Sequence, residues 1–144
     1  MTADRALFLC TGNYYRSRFA EAVFLHRASE AGLGWDASSR GLWTGENTNH
    51  GPIAPVVVSA LALRGIPYRD VRRLPLQATL GDLREATRIV GLHEAEHRPI
   101  IEARFGSIAD RVEYWAVPDV GEMEPGVALD RIGEKVDGLI ARLR

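Results

Sequence analysis

The only cysteine of the chain, Cys10, is followed six positions later by Arg16 in the stretch Cys10-Thr11-Gly12-Asn13-Tyr14-Tyr15-Arg16-Ser17. Backbone N–H groups in a loop of this length can turn inward and hold an oxyanion, helped by the positive end of a following helix. A guanidinium adds two parallel hydrogen bonds to a phosphate-like group. The same positive field favours the nucleophilic thiolate form of a cysteine. The Ser17 hydroxyl can donate to that sulfur and so stabilise it both as thiolate and as leaving group. Gly12 can take backbone angles that other residues resist. Asn13 tolerates left-handed geometry and can pin the loop through its side chain. Residues 10–17 are therefore read as an anion loop, with Thr11, Gly12, Asn13, Tyr14, Tyr15 and Ser17 arranged around the substrate, beside Cys10 and Arg16. The bland alternatives are a buried structural thiol for Cys10 and a helix cap for Ser17.

Such a loop needs a strand to deliver it and a helix to receive it. Ala6-Leu7-Phe8-Leu9 is a short apolar run that fits a strand buried on both faces. From Arg16 to about Ala31, apolar residues fall at helical spacing, with Gly32 and Gly34 as a stop. Asp36–Leu42 reads as a second strand, Trp43–Pro55 as a loop rich in Gly, Asn and Pro, and Ile53–Arg64 as a helix ended by Gly65. A short helix over 81–86, a strand over 87–92, a helix over 94–105 and an alternating strand over 111–117 follow. Leu129, Ile132, Val136, Leu139, Ile140 and Leu143 form one apolar stripe of a terminal helix. Strands alternating with helices predict an α/β fold in three layers, a parallel sheet with helices on both faces. In such sheets, sites form at the carboxyl ends of the strands, where Cys10 falls.

The 144 residues fit one domain spanning 1–144. Eighteen basic and nineteen acidic side chains give a formal net charge of −1, so a general nucleic-acid or anionic-membrane binder is disfavoured. No apolar run approaches the roughly 20 residues that span a bilayer. The opening Met1-Thr2-Ala3-Asp4-Arg5 precedes too few apolar residues for a signal peptide, and a cytoplasmic location is expected. A single cysteine excludes an internal disulfide.

Phe8-Leu9-Cys10-Thr11-Gly12-Asn13, then Arg16-Ser17, then Ala20-Glu21-Ala22-Val23-Phe24, resembles the start of the low-molecular-weight protein tyrosine phosphatases and the related thioredoxin-coupled arsenate reductases. Ser38-Ser39-Arg40-Gly41 resembles a Ser-Ala-Gly turn of the family. Trp115-Ala116-Val117-Pro118-Asp119 resembles the stretch that carries its general acid. The resemblance implies a four-stranded parallel sheet and a cysteine-dependent hydrolase acting on phosphate monoesters, protein phosphotyrosine among them. Cys10 would attack phosphorus and form a thiophosphate intermediate. Arg16 and the loop amides would hold the equatorial oxygens. Asp119 would act as acid and then as base; as a bland alternative it is a turn or cap residue. No cofactor and no metal are implied, because Arg16 and the amides supply the positive charge. The implied partners are a phosphorylated protein or small phosphate monoester, and simple oxyanions such as phosphate and vanadate, with the chain a monomer or weak dimer.

The sequence also departs from the family. Val120-Gly121 follows Asp119 where Pro and aromatic residues are usual, which weakens the case for phosphotyrosine. Tyr15 occupies the place of a frequent second cysteine. Arg18 stands where Pro is common and is read either as favouring a more anionic substrate or as solvated. Trp43 is read as a wall of the pocket or as an ordinary aromatic, and Ser39 as a support for the loop or a plain turn residue. Two other activities remain open: arsenate reduction with an external thiol, since an internal relay needs more cysteines, and non-catalytic oxyanion binding. His93-Glu94-Ala95-Glu96-His97 matches the zinc-protease pattern H-E-x-x-H. Pro99 and the missing third ligand favour a solvated helix start instead. Arg69, Arg72 and Arg73 read as a solvated basic turn or as a substrate-docking cluster.

Overall fold

Along strand β1 (Arg5–Cys10) successive side chains point to opposite faces of the sheet. Ala6, Phe8 and Cys10 join one apolar cluster and Leu7 and Leu9 the other. A strand buried on both sides must lie centrally, and it does. The computed structural model describes residues 4–45 and 49–144. The reading of the N-terminus rests partly on residues 1–3, and the 43–55 loop includes 46–48; those residues lie outside the described ones.

The four strands run parallel in the order β2 (Asp36–Gly41), β1, β3 (Arg88–Gly91), β4 (Glu113–Tyr114). Helices α1 (Arg16–Glu30), α2 (Pro55–Leu63) and α5 (Pro125–Leu143) pack on the face of Phe8. Helices α3 (Leu80–Glu85) and α4 (Glu94–Phe105) cover the face of Leu7 and Leu9. The three-layer α/β architecture expected from the sequence is the one present. The apolar stripe of α5 buries Leu129, Ile132, Val136, Leu139 and Ile140 against α1, each contributing about 1.5–3 kcal/mol of transfer free energy. Phe8 fixes the layer spacing by tilted ring contacts to Phe24 at 5.7 Å and Trp115 at 5.9 Å.

One element is shorter than its pattern suggests. The alternating 111–117 run yields only the two-residue β4, because a 3₁₀ turn (Gly106–Arg111) occupies its start. Beyond it, Val117 still bonds back to the Leu92 carbonyl at 2.9 Å. The chain thus leaves the sheet at Pro118 and Asp119, close to the ends of β1 and β3.

Gly41, paired with Cys10 in the β1–β2 register, closes β2. A Cβ there would stand 2.9 Å from the Thr11 carbonyl oxygen and 3.1 Å from Asn13 Cβ. Only glycine lets the end of β2 lie this close to the loop after β1. Among the described residues no helix is long and apolar enough to cross a membrane.

Candidate active site

The loop after β1 opens onto a cleft of about 250 Å³, lined by Cys10, Gly12, Tyr14, Tyr15 and Arg16 from below and by Asn49, Ala54, Val56, Asp119 and Val120 around the rim. Cys10 Sγ lies 3.0 Å from Ser17 Oγ. Asn13 Nδ2 donates to the same hydroxyl oxygen at 2.9 Å, which leaves the hydroxyl proton free to point at the sulfur.

Asn13, not Gly12, carries the left-handed backbone of the loop, with φ of 52°. Gly12 is outside that region, and a Cβ there would meet Asn49 Nδ2 at 3.5 Å and Tyr14 Cβ at 4.0 Å. Asn13 is fully buried and uses its whole amide. Nδ2 donates to Ser17 and, at 3.0 Å, to Ser39 Oγ. Oδ1 accepts from Arg73 Nη1 and from the Leu76 backbone N–H, each at 3.0 Å. Ser39 in turn donates to Glu21, which pairs with Arg73 at 3.3 Å. Burial raises the Glu21 pKa, an effect that Ser39, Arg73 and Arg18 partly offset.

Two arginines take unexpected places. Arg18 is neither solvated nor at the cleft. It is wholly buried, and its guanidinium donates to the carbonyls of Asn13, Pro52 and Asp70 and to the Tyr68 hydroxyl. It ties the loop to two neighbouring loops. Arg73, read as part of a solvated turn, reaches inward to Asn13, Ser39 and Glu21. No sequence periodicity marks either role. The only hint was Arg18 itself, a cation at a helix start, where the dipole disfavours one.

Arg16 is 2% exposed. It lies at the first position of α1, a helix with no acidic residue in its first turn and no side-chain cap. Its Nη1 donates to Glu96 Oε1 at 3.0 Å and to the Val117 carbonyl at 2.9 Å. Its Nη2 donates to Glu96 Oε2 at 2.8 Å and lies 3.8 Å from Asp119 Oδ2. A guanidinium has five N–H donors. Two, on Nε and Nη2, have no hydrogen-bond acceptor among the described residues, and they form one edge of the fork. Asp119 is half-exposed, and among the described residues its carboxylate accepts from the Val120 backbone N–H, at 2.8 Å.

The H-E-x-x-H residues do something else. His97 is completely buried. Its Nδ1 accepts from the His93 backbone N–H at 3.0 Å, so the proton sits on Nε2, between Thr11 Oγ1 at 3.2 Å and Glu96 Oε2 at 3.1 Å. The Thr11 hydroxyl also donates to Glu96. This side chain therefore turns under the loop, not into the cleft. Burial lowers the His97 pKa and keeps the ring neutral. Partial burial would raise the Glu96 pKa, but hydrogen bonds from His97, Arg16 and Thr11 win and hold its carboxyl well below the usual carboxylate range. The expected solvated helix start holds for the exposed Glu94 and Ala95, whereas Glu96 and His97 turn inward. No cluster of three metal-ligating side chains occurs among the described residues.

Trp43 does not line the cleft. Its ring is partly exposed and carries Arg104 4.3 Å above its centroid. Tyr15 fills the floor with its ring, and its hydroxyl is buried with no partner among the described residues. Burial raises its pKa.

The sequence matches the family described as low molecular weight phosphotyrosine protein phosphatase over residues 5–117. It is 31% identical over 131 residues to a protein-arginine-phosphatase of Bacillus subtilis (strain 168), covering 91% of this chain and 81% of that protein. The fold superposes on the crystal structure of YfkJ from Bacillus subtilis with a TM-score of 0.86 at 23% identity, covering 99% and 96% of the two chains. It superposes on a mutant of YwlE arginine phosphatase with a phosphorylated active-site serine with a TM-score of 0.80 at 23% identity, covering 96% and 95%. The loop geometry, the sheet order and these matches converge: the chain belongs to the low molecular weight phosphotyrosine protein phosphatase family.

Proposed function

We propose that this phosphatase transfers the phosphoryl group through Cys10 in two steps. The observation that carries the reading is the meeting in one cleft of a thiol bonded to a hydroxyl, an arginine with two open donors and an exposed carboxylate. Cys10 Sγ attacks phosphorus, and an S–P bond forms as the bond to the leaving oxygen breaks. Protonated Asp119 gives its proton to that oxygen. Arg16 and the loop amides hold the three equatorial oxygens as charge builds. Asp119, now ionised, takes a proton from water as the water attacks phosphorus. The S–P bond breaks, phosphate leaves, and the Ser17 hydroxyl stabilises the departing sulfur. The phosphorylated serine in the YwlE mutant supports a covalent route on this fold.

The test is hydrolysis of p-nitrophenyl phosphate at mildly acidic pH. The wild type turns over, and Cys10→Ser loses at least about 10⁴-fold in kcat, as removal of an attacking nucleophile does. Equal rates would overturn the proposal.

A second substrate class is favoured by two observations. The curated relative is a protein-arginine-phosphatase. The rim after Asp119 is Val120-Gly121, which offers no ring of its own to a phenol; the other walls include Tyr14, Tyr15, Asn49, Ala54 and Val56. Protein phosphoarginine fits the same chemistry, with nitrogen as the leaving atom. The ratio of kcat/KM on matched phosphoarginine and phosphotyrosine peptides decides between the two classes. A ratio above one assigns phosphoarginine.

A further inference from the structure

We propose that Glu96 is a positioning residue for Arg16, one that fixes which edge of the guanidinium meets the oxyanion. The inference rests on the phosphatase reading and adds a residue to it. Glu96 grips the end of the fork, one oxygen to each terminal nitrogen, at 3.0 and 2.8 Å. The Val117 carbonyl takes the second Nη1 proton. What remains is the side edge, Nε–H with one Nη2–H, the pair that matches two oxygens of a phosphate. A free arginine at a helix start could offer either edge; this one is left only the side edge.

Glu96 is itself held from three directions. Thr11, the residue after the nucleophile, donates to it. His97 faces its Oε2, with the ring tautomer set by the His93 backbone. Its place in the first turn of α4 suits a carboxylate. The chain connects the nucleophile's neighbour, the carboxylate and the arginine. The acceptors also compensate a buried cation at a helix start, which would otherwise be costly.

Glu96 is not a resident competitor for the substrate, because it uses the other edge. The test separates these roles. Glu96→Gln and Glu96→Ala are compared with wild type for kcat and KM on p-nitrophenyl phosphate, for inhibition by orthovanadate, and for alkylation of Cys10 by neutral iodoacetamide. Each value is normalised to the folded fraction. With the fork misaligned, kcat falls about 10–100-fold and vanadate inhibition weakens by a comparable factor. The alkylation rate stays within about threefold, because the sulfur and its hydroxyl partner Ser17 are untouched. Vanadate affinity unchanged or tighter in the variants would overturn the proposal, as would alkylation falling in step with kcat. If neither variant folds, Thr11→Val removes one anchor of Glu96 and gives the same pattern at about 3–10-fold; an unchanged vanadate affinity there overturns it equally. Orthovanadate binding by calorimetry reads the effect of Glu96 even if wild type fails to turn over, so failure of the phosphatase reading would be seen separately.

Discussion

Asn13 lies beneath the loop that floors the cleft and Asp119 at its rim, and their surroundings differ in kind. Asn13 is wholly buried, holds a left-handed backbone and makes four side-chain hydrogen bonds to three other segments. Around it Ser17, Ser39, Glu21, Arg73 and Arg18 leave the loop almost no alternative conformation. Asp119 is half-exposed, sits beyond the last strand, and its carboxylate accepts one hydrogen bond among the described residues, from the Val120 backbone N–H, while its carbonyl closes a turn with Glu122 and Met123. The difference follows from the two tasks. Oxyanion donors work only if they are fixed before charge develops. A proton donor must let substrate enter and must meet a leaving group whose identity varies. Side-chain hydrogen bonds are concentrated where electrostatics requires them and are few where access does.

The largest expected effect breaks the rigid side at its charge. Arg16→Ala removes both open donors and the buried cation, and kcat/KM on p-nitrophenyl phosphate falls about 10³-fold or more. A loss below tenfold would mean that the fork does not touch the phosphoryl group. Next comes the open side. Asp119→Asn slows turnover about 10²-fold yet leaves thermal stability within about 0.5 kcal/mol, because the side chain is exposed. The phenol leaving group of p-nitrophenyl phosphate needs less acid help, so the defect grows with a less acidic leaving group. A melting point that dropped as far as the activity would erase the contrast between the two sides.

Asn13→Ala reverses the pattern. It destabilises by roughly 2–4 kcal/mol, from the left-handed backbone and the orphaned partners, seen as a lower midpoint in urea. A loss no larger than that of Asp119→Asn would show that the network under the loop is not restraining it.

The smallest effect is in acid. Burial holds the His97 pKa below its ordinary value of 6.5, so as pH falls through about 6.5 the unfolded chain binds a proton that the folded one refuses. Stability is therefore full above that pH and falls below it, by at most about 1.4 kcal/mol per pH unit. Glu96, also depressed, adds a loss of the same sign below its ordinary value of 4.5. His97→Gln should flatten the upper part of the curve in calorimetry. An unchanged slope would place the ring in contact with water.

The elements that position the cleft could largely be read from the chain. Ala6–Leu9 is apolar on both faces and becomes the central strand; the α5 stripe packs as drawn. The Cys10–Ser17 spacing is local, so its loop was readable too. What could not be read depends on contacts between distant segments. His97 looks like a solvated residue because its burial depends on the β1 loop folding over it. Arg73 and Arg18 look like surface cations because their acceptors are backbone carbonyls and side chains of other segments. Glu96 was hidden inside a motif that suggested zinc. Trp43 lay in a loop near the strand ends, but its contact with Arg104 on α4 draws it away from the cleft. The 111–117 alternation overstated β4 because a 3₁₀ turn takes its start, although Trp115 and Val117 still bond back to Gly91 and Leu92.

The central claim is a covalent bond between phosphorus and Cys10. Rapid-quench mixing of the enzyme with a ³²P-labelled phosphorylated peptide, followed by peptide mapping, tests it directly. The account predicts transient label on the peptide that carries Cys10 and none in Cys10→Ala. Steady turnover with no protein-bound label, or label on any other residue, would contradict it.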